Sequence, residues 1–268
     1  MKLDRVLFIG GAPHLPSVSI RCVEIARHLG CDYVVPRPCI DEISSRYEAF
    51  ICVKPRLNSG ELFHLQERGK VIWDIIDEPP PRLAGSGRYI ASSETVRKIF
   101  SGYGEIDVIP HYHCNFSGAL SCLTPGKVAW VGSPQWHPGN IGFKYSFFNT
   151  NHLDQPKVEK IYQDIGISLN LRADKAGAVW HGIMNSGIKL INAIGFGIPS
   201  VSINEPAYLE IGDECTIFTD TLYCRESVLR LQKDTSIYRR MSRSCLLRAG
   251  DYHIETIALR YKKIIDEL

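Results

Sequence analysis

The sequence predicts an α/β fold with two consecutive domains, each built on a parallel sheet that helices cover on both faces. Two observations lead to this prediction. Short, nearly continuous apolar runs alternate with helical patterns along the chain, which is typical of parallel strands buried on both faces. A polar, turn-rich stretch over residues 111–126 interrupts the alternation once, and the pattern then starts again. We therefore expect two Rossmann-like domains facing a central cleft.

The first half of the chain contains six apolar runs that fit strands. The run Arg5–Ile9 ends in a pair of glycines and precedes a helical pattern over Ser19–Leu29. Another helix is predicted to begin near Ser92 or Ser93, where a serine and the nearby Glu94 can cap it. The remaining runs cover residues 33–35, 49–53, 71–76, 89–91 and 108–110.

The second half repeats this organisation. Its first run, Val128–Val131, ends in Gly132 and Ser133, much as the first run of the chain ends in two glycines. A helix is expected over Ile188–Phe196, and further runs cover residues 167–171, 178–180, 200–203 and 216–218. From about Ser227 onward the pattern is helical, and residues 254–265 are amphipathic. The expected inward positions of this last part are Leu229, Leu231, Tyr238, Met241, Leu246 and Leu247.

Composition limits the classes of function. The 31 basic and 29 acidic residues give a net charge of +2, so we expect no nucleic-acid partner that depends on a large positive field. No window approaches the ~20 consecutive apolar residues of a transmembrane helix. The nine cysteines include no Cys-x-x-Cys pair, which favours free thiols in a reducing compartment. The expected location is the cytoplasm.

The most informative segment covers residues 185–202. A polar turn containing Ser186 and Gly187 precedes the predicted helix, whose first amides and positive dipole end suit a phosphate. Lys189 lies near the start of this helix and adds a mobile positive charge. Asn192 follows three residues later on the same helical face, within reach of a ribose or sugar hydroxyl. The segment therefore predicts a site for a phosphorylated, hydroxyl-bearing ligand.

The order K-L-x-x-A-x-x-x-G-I-P-x-V, which starts at Lys189, resembles the donor-site motif of GT-B glycosyltransferases. Further segments are similar to family segments in the same order along the chain. They are the glycines at 10–11, the strand at 71–77, the Ser-Ser pair after the strand at 89–91, the linker entry at 108–110, and the Val-Gly-Ser sequence at 131–133. The resemblance spans the whole chain and rests on the order and spacing of these segments.

This resemblance implies an acceptor-side domain over residues 1–115 and a nucleotide-sugar-binding domain over residues 116–268. It implies transfer of a sugar from a UDP- or GDP-sugar to a hydroxyl of a glycan or lipid-linked acceptor, without a metal or other cofactor. In that interpretation Lys189 and the amides near Gly187 hold the diphosphate, and Gly132 and Ser133 allow close approach from another strand end. Arg172 is a second phosphate candidate.

The N-terminal domain should supply the residues on the acceptor side. Gly11 resembles the N-terminal glycine loop of the family and joins the donor-binding candidates. His14 and Asp77 follow predicted strands and are the candidates for a base that deprotonates the acceptor hydroxyl. The structural alternative for His14 is a loop histidine with a local hydrogen bond. For Asp77 it is a helix cap or an Asx-type turn. Arg21 could bind a phosphate, although a surface salt bridge is the simpler interpretation.

The chain departs from the family at two positions. Large retaining families carry two glutamates seven residues apart, and the corresponding residues here are Met184 and Asn192. Asparagine can bind hydroxyl groups but cannot act as a charged acceptor. Two alternatives therefore stay open, a nucleotide-sugar epimerase or hydrolase, and a degenerate module that binds a nucleotide or protein without catalysis. His111 and His113 resemble paired metal ligands but have no third ligand nearby in sequence, which favours a hinge role.

Overall fold

A computed structural model describes residues 1–12, 15–37, 39–83, 87–121, 124–150, 153–173 and 178–268. The chain divides into two compact units. The first contains Met1–His111 together with Ile254–Leu268, and the second contains Tyr112–His253. Each unit is built around one parallel sheet. The C-terminal helix, included with residues 116–268 in the sequence-based division, groups by its contacts with the first unit.

The first unit contains a six-stranded sheet in the order β2-β1-β3-β4-β5-β6 among the described residues. Every neighbouring pair is parallel. The central strands are apolar along their whole length and fully buried, because helices cover both faces of such a sheet. The strands are β1 (Val6–Gly10), β2 (Asp32–Val34), β3 (Ala49–Val53), β4 (Lys70–Ile75), β5 (Arg88–Ala91) and β6 (Glu105–Val108).

Helices connect these strands. The predicted first helix is a continuous helical segment made of α1 (Pro16–Val18), a π-helical stretch (Ser19–Glu24) and α2 (Ile25–Leu29). Helix α3 (Ser59–Arg68) lies between β3 and β4, and α4 (Glu94–Ile99) follows β5. The hydroxyl of Ser93 accepts a hydrogen bond from the amide of Val96 at 3.2 Å. The predicted serine cap is therefore confirmed.

The second unit contains a five-stranded parallel sheet in the order β11-β10-β9-β7-β8 among the described residues. Its strands are β7 (Val128–Gly132), β8 (Ser146–Asn149), β9 (Ile167–Asn170), β10 (Ser200–Ser202) and β11 (Thr216–Phe218). The sequence did not predict β8, because this edge strand alternates partly buried and exposed residues and has no continuous apolar run.

The helices of the second unit are α5 (Gln155–Gln163), α6 (Ala178–Ile183), α7 (Ile188–Gly195), α8 (Pro206–Ile211), α9 (Cys224–Lys233) and α10 (Thr235–Ala249). The apolar run at 178–180, which we grouped with the strands, instead begins α6. Two predicted inward positions are also wrong, since Leu229 is 36% exposed and Leu247 is 77% exposed. Both side chains lie on the exposed sides of their amphipathic helices, α9 and α10.

The last helix, α11 (Ile254–Asp266), belongs to the first unit. Its residue Tyr261 is fully buried and donates a hydrogen bond to Asp74 of β4 at 2.7 Å. Within the described part of the chain, no helix has the length and apolar character needed to cross a bilayer.

Candidate functional site

The carboxyl ends of β7, β9 and β10 form one edge of the sheet in the second unit. Because neighbouring strands are parallel, the residues that follow them collect at this edge, where open α/β sheets bind ligands. Gly132 ends β7, Arg172 follows β9, and Glu205 follows β10. The amide of Asn170 donates to the hydroxyl of Ser202 at 3.0 Å and joins two of these strand ends.

Lys189 extends from α7 to this edge. Its Nζ lies 3.7 Å from the centroid of the Trp130 ring, a favourable cation–π contact. The Trp130 ring is fully buried, and its Nε1 donates to the carbonyl of Leu171 at 2.8 Å. A Cβ at Gly132 would lie 2.9 Å from both Cε and Nζ of Lys189. The absence of a side chain at Gly132 therefore makes room for the lysine.

The environment of Lys189 disfavours its charge. The pKa of Lys189 is lowered from its ordinary value of 10.5 to about 7, chiefly by burial and also by the nearby Arg172 cation, whereas Glu205 opposes the shift. No carboxylate of the described residues lies within ion-pair distance of its ammonium. Burial, followed by the charge of Lys189, also lowers the pKa of His137. An anion at this position would therefore meet a lysine that has no ion-paired carboxylate among the described residues.

Arg172 has a carboxylate partner in the same region. Its Nε and Nη2 donate to the two carboxylate oxygens of Glu205 at 2.5 and 3.1 Å, the paired geometry that guanidinium favours. The guanidinium carbon lies 5.1 Å from the centroid of the Trp136 ring. Glu205 is 7% exposed and also accepts from the side-chain amide of Asn185. The cluster joins the segment after β9 to the turn before α7.

Sequence reasoning missed Glu205. The only local signal was an acidic residue shortly after a predicted strand, before a proline that begins α8. Its role depends on Arg172 and Asn185, which lie 33 and 20 residues away. The sequence pattern around Trp130 indicates only a strand, although its ring forms the surface on which Lys189 lies.

The predicted polar turn before α7 is present. Gly187 adopts a left-handed conformation with φ 71°, and its amide donates a hydrogen bond to the side-chain oxygen of Asn185 at 3.1 Å. A Cβ at Gly187 would lie 2.4 Å from Cδ1 of Ile211, so both conformation and space require glycine here. Ser186 is buried beside it. The turn therefore leads directly into the first amides of α7, where Lys189 is the second residue.

Two other predicted residues have local or internal roles. Ser133 follows Gly132, and its carbonyl accepts from the amide of Trp136 at 3.0 Å in a short turn. Asn192 is 7% exposed, and its Oδ1 accepts from the backbone amide of Cys114 at 2.9 Å. Its carboxamide oxygen therefore stabilises the segment that enters the second unit. A contact between Asn192 and a donor hydroxyl stays a prediction.

The predicted residues of the first unit form a separate cluster. The Nζ of Lys54 lies 2.5 Å from Oδ2 of Asp77, and the Cα of Gly11 lies so close to Lys54 that a Cβ would be 2.0 Å from its carbonyl oxygen. Lys54, Arg56 and Asp77 have positive φ angles of 49°, 53° and 58°, a conformation that costs non-glycine residues free energy and is concentrated at functional sites. His14 lies outside the described residues.

A cavity of about 300 Å³ adjoins this cluster. Its lining includes Lys54, Arg56, Trp73 and Glu78, together with the prolines at 79–81. The cavity combines positive and negative side chains with an aromatic ring, which are groups that bind sugars and other polar ligands.

Arg21 is neither a surface residue nor a free phosphate ligand. It is 1% exposed, its Nε donates to Oδ2 of Asp74 at 2.8 Å, and its Nη1 donates to the carbonyl of Ile109 at 2.9 Å. Burial, followed by the charges of Arg21 and Lys54, keeps the pKa of His111 well below 6.5. Both the phosphate interpretation and the surface salt bridge are therefore wrong for Arg21, which stabilises the interior.

Metal ligands do not assemble among the described residues, where no group of three or more His, Cys, Asp or Glu side chains could hold an ion. The Nδ1 of His113 accepts from the amide of Asn115 at 3.3 Å, and its ring contacts that of His253. Both interactions are local packing within the second unit.

No protein-family model matches the chain, and neither does the sequence of any curated protein. Solved structures do match it. A glycosyltransferase from Rickettsia africae ESF-5 superimposes with a TM-score of 0.64 and 9% identity over 98% of both chains. A glycosyltransferase involved in avilamycin A biosynthesis gives a TM-score of 0.58 and 13% identity over 96% of both chains. These structural neighbours are glycosyltransferases.

A third match is the pneumococcal O-GlcNAc transferase in complex with UDP and GlcNAc, with a TM-score of 0.51 and 12% identity over 82% of this chain and 56% of that chain. At such identities the likeness establishes the fold alone. The predicted pair of Rossmann-like α/β domains is therefore confirmed, and the chain shares its two-domain fold with these glycosyltransferases.

Proposed function

We propose that this chain is a glycosyltransferase that moves a sugar from a UDP- or GDP-sugar to a hydroxyl acceptor on a glycan or lipid-linked molecule. The observation that carries the proposal is the placement of Lys189. Its ammonium lies at the carboxyl edge of a parallel sheet, against Trp130 and in space left by Gly132, without a carboxylate partner among the described residues. The structural likeness to glycosyltransferases supports the same conclusion.

Sugar transfer requires stabilisation of the departing nucleoside diphosphate. Lys189 would neutralise charge on this leaving group, and the first amides of α7, following Ser186 and Gly187, would donate hydrogen bonds to its oxygens. The backbone at Gly132 and Ser133 would allow close approach from the end of β7. These groups supply charge stabilisation from protein side chains and amides, so we propose a transfer that needs no metal ion.

Arg172 would act differently from Lys189. Glu205 already occupies its guanidinium in bidentate fashion, so a donor phosphate would share Arg172 with this carboxylate. We therefore assign Arg172 a supporting electrostatic role, and Lys189 the principal contact with the diphosphate.

The acceptor side is assigned to the first unit. An inverting transfer requires a base for the acceptor hydroxyl, and Asp77 and His14 are the candidates. The carboxylate of Asp77 is 46% exposed and ion-paired with Lys54, which holds it in place beside the cavity of the first unit. Gly11 would contribute through its close packing against Lys54 and need not contact the donor itself.

A second candidate is a module that binds a nucleotide without catalysis. The observation that favours it concerns the two positions at which the retaining families carry glutamates. Both residues at these positions are buried in this chain. Met184 is 1% exposed, and Asn192 is held by the amide of Cys114. Neither residue can supply a carboxylate to a bound sugar.

The test is a binding and turnover experiment with a panel of UDP-, GDP-, CDP- and TDP-sugars. We expect at least one UDP or GDP compound to raise the melting temperature and to release its nucleoside diphosphate when an acceptor is present. A raised melting temperature without release supports the non-catalytic module. Release without acceptor supports a donor hydrolase, and conversion of the donor sugar supports an epimerase. If none of the compounds changed the melting temperature, the proposed donor site would be contradicted.

A further inference from the structure

Two groups of guanidinium side chains in this chain differ in their partners. Those of the first unit commonly meet a carboxylate, as in Arg21, Arg37 and Arg88. A second set on α9 and α10 is exposed, and its guanidinium groups have no hydrogen bond or ion pair with any described residue. This set consists of Arg225, Arg230, Arg239, Arg240 and Arg243.

Helix α10 concentrates this positive charge. Its sequence contains no aspartate or glutamate between Thr235 and Ala249. Arg239 and Arg243 lie four residues apart and therefore share one face, and Arg240 is exposed beside them. The opposite face, which includes Tyr238 and Cys245, is buried against the domain. The arginines are thus held on a fixed helix and directed away from the core.

The positive charges of α9 and α10 meet at one depression of the surface. Arg230 of α9 and Arg240 of α10 line the same depression of about 500 Å³. Asp213 and Glu214 also line it and partly offset the positive charge there. The excess of positive charge is therefore greatest on α10 itself, outside the depression.

Large apolar side chains accompany these cations. Leu247 continues the face of Arg239 and Arg243 by one further turn and is 77% exposed. Leu222, immediately before α9, is 89% exposed, and Tyr223 beside it is 58% exposed.

We propose that this basic surface of α9 and α10 binds the surface of a bilayer that contains anionic lipids. Arginines near such a surface are attracted to its anionic headgroups, and neighbouring leucine and tyrosine side chains can enter the boundary between headgroups and acyl chains. A nucleic acid would use the arginines but would leave Leu222 and Leu247 in water. This interaction goes beyond the proposed sugar transfer and does not depend on it.

Cosedimentation with vesicles tests the proposal. The full chain is mixed with vesicles of phosphatidylcholine, with and without phosphatidylglycerol, at low and high salt. We expect binding only when phosphatidylglycerol is present, and weakening by salt. The variant Arg239→Glu, Arg240→Glu, Arg243→Glu should bind at least ~10-fold more weakly, because it reverses three charges at the surface.

The matched control is Arg260→Glu, Lys262→Glu, Lys263→Glu, which makes the same change in net charge on α11. It should retain vesicle binding, and equal melting temperatures would show that both variants fold. Equal loss of binding in the control would overturn the proposal, because net charge alone would then explain attraction to the vesicles.

The apolar part has its own test. Leu222→Gln with Leu247→Gln should weaken vesicle binding severalfold and leave binding to heparin and single-stranded DNA unchanged. Tight binding of the natural chain to these polyanions without vesicle binding would contradict the bilayer proposal and favour a soluble polyanion. Vesicle binding unaffected by the leucine substitutions would reject insertion of these side chains.

Discussion

The ammonium of Lys189 lies 3.7 Å from the centroid of the Trp130 ring, and both Cε and Nζ of this lysine would lie only 2.9 Å from a Cβ at position 132. The strand β7 and the helix α7 therefore form one element of the site. The strand supplies the Trp130 ring and the space beside Gly132, and the helix supplies the lysine side chain that occupies this space.

Replacement of Lys189 by alanine should weaken binding of a UDP or GDP compound by about 10- to 100-fold, the effect of losing one charge-assisted hydrogen bond. Isothermal titration calorimetry with the free nucleoside diphosphate measures this directly. Lys160→Ala, which removes an exposed lysine from α5 of the same unit, is the control and should bind normally. Unchanged affinity in Lys189→Ala would exclude this lysine from the site.

Nucleotide binding should depend on pH through Lys189. Its pKa of about 7 leaves the amine largely neutral in the free protein above that pH. A bound diphosphate favours the ammonium, so binding at pH 8 should take up a proton, and affinity should fall as pH rises above 7. Calorimetry in buffers of different ionisation enthalpy measures this proton uptake. Lys189→Ala should abolish it, and proton uptake that persists in this variant would point to another group.

The same pKa has a consequence for folding. The ordinary lysine pKa of 10.5 applies to the unfolded chain, so between pH 7 and 10.5 the unfolded state binds more protons than the folded state. The contribution of Lys189 to the free energy of unfolding should therefore rise with pH across this window. Comparing the natural chain with Lys189→Met by chemical denaturation at pH 6 and pH 9 isolates the contribution. If the difference in the free energy of unfolding between Lys189→Met and the natural chain were equal at both pH values, the predicted contribution of Lys189 would be contradicted.

Gly132→Ala should impair nucleotide binding without removing any charge. The new methyl group would lie 2.9 Å from Lys189 and from the Trp130 ring, so the lysine must leave its position. We expect a loss of affinity of at least ~10-fold by calorimetry, close to that of Lys189→Ala. Gly250→Ala is the control, because no atom lies within 4 Å of the added carbon. Normal affinity in Gly132→Ala would show that the position of Lys189 is not required.

The buried pair of Arg21 and Asp74 should hold the C-terminal helix on the first unit. Asp74→Ala leaves the Arg21 charge buried and unpaired, which costs about 3–5 kcal/mol. It also removes the acceptor for the hydroxyl of Tyr261. We expect a lower melting temperature and faster hydrogen exchange in α11. Arg97→Ala, which breaks an exposed pair with Glu94, should change neither measurement, and slow exchange of α11 in Asp74→Ala would contradict the anchoring role.

The strands that the sequence predicted best are those buried on both faces. The run at 49–53 coincides with β3, and the run at 128–131 differs from β7 by one residue, because full burial requires an unbroken apolar sequence that can be recognised locally. The partly exposed edge strand β8 lacks such a signature and was not predicted. The short apolar run at 178–180 resembles a buried strand but begins the helix α6.

The candidate site likewise contains features that the local sequence indicates and contacts that it does not. The sequence by itself determined the turn at Gly187 and the lysine just inside the following helix, because conformational preference and helix geometry act over a few neighbouring residues. Only the tertiary structure decided that Trp130 supports Lys189, that Glu205 occupies Arg172, and that Asn192 binds the amide of Cys114. These partners lie tens of residues apart along the chain, and only the packing of strands and helices into one domain brings them within bonding distance.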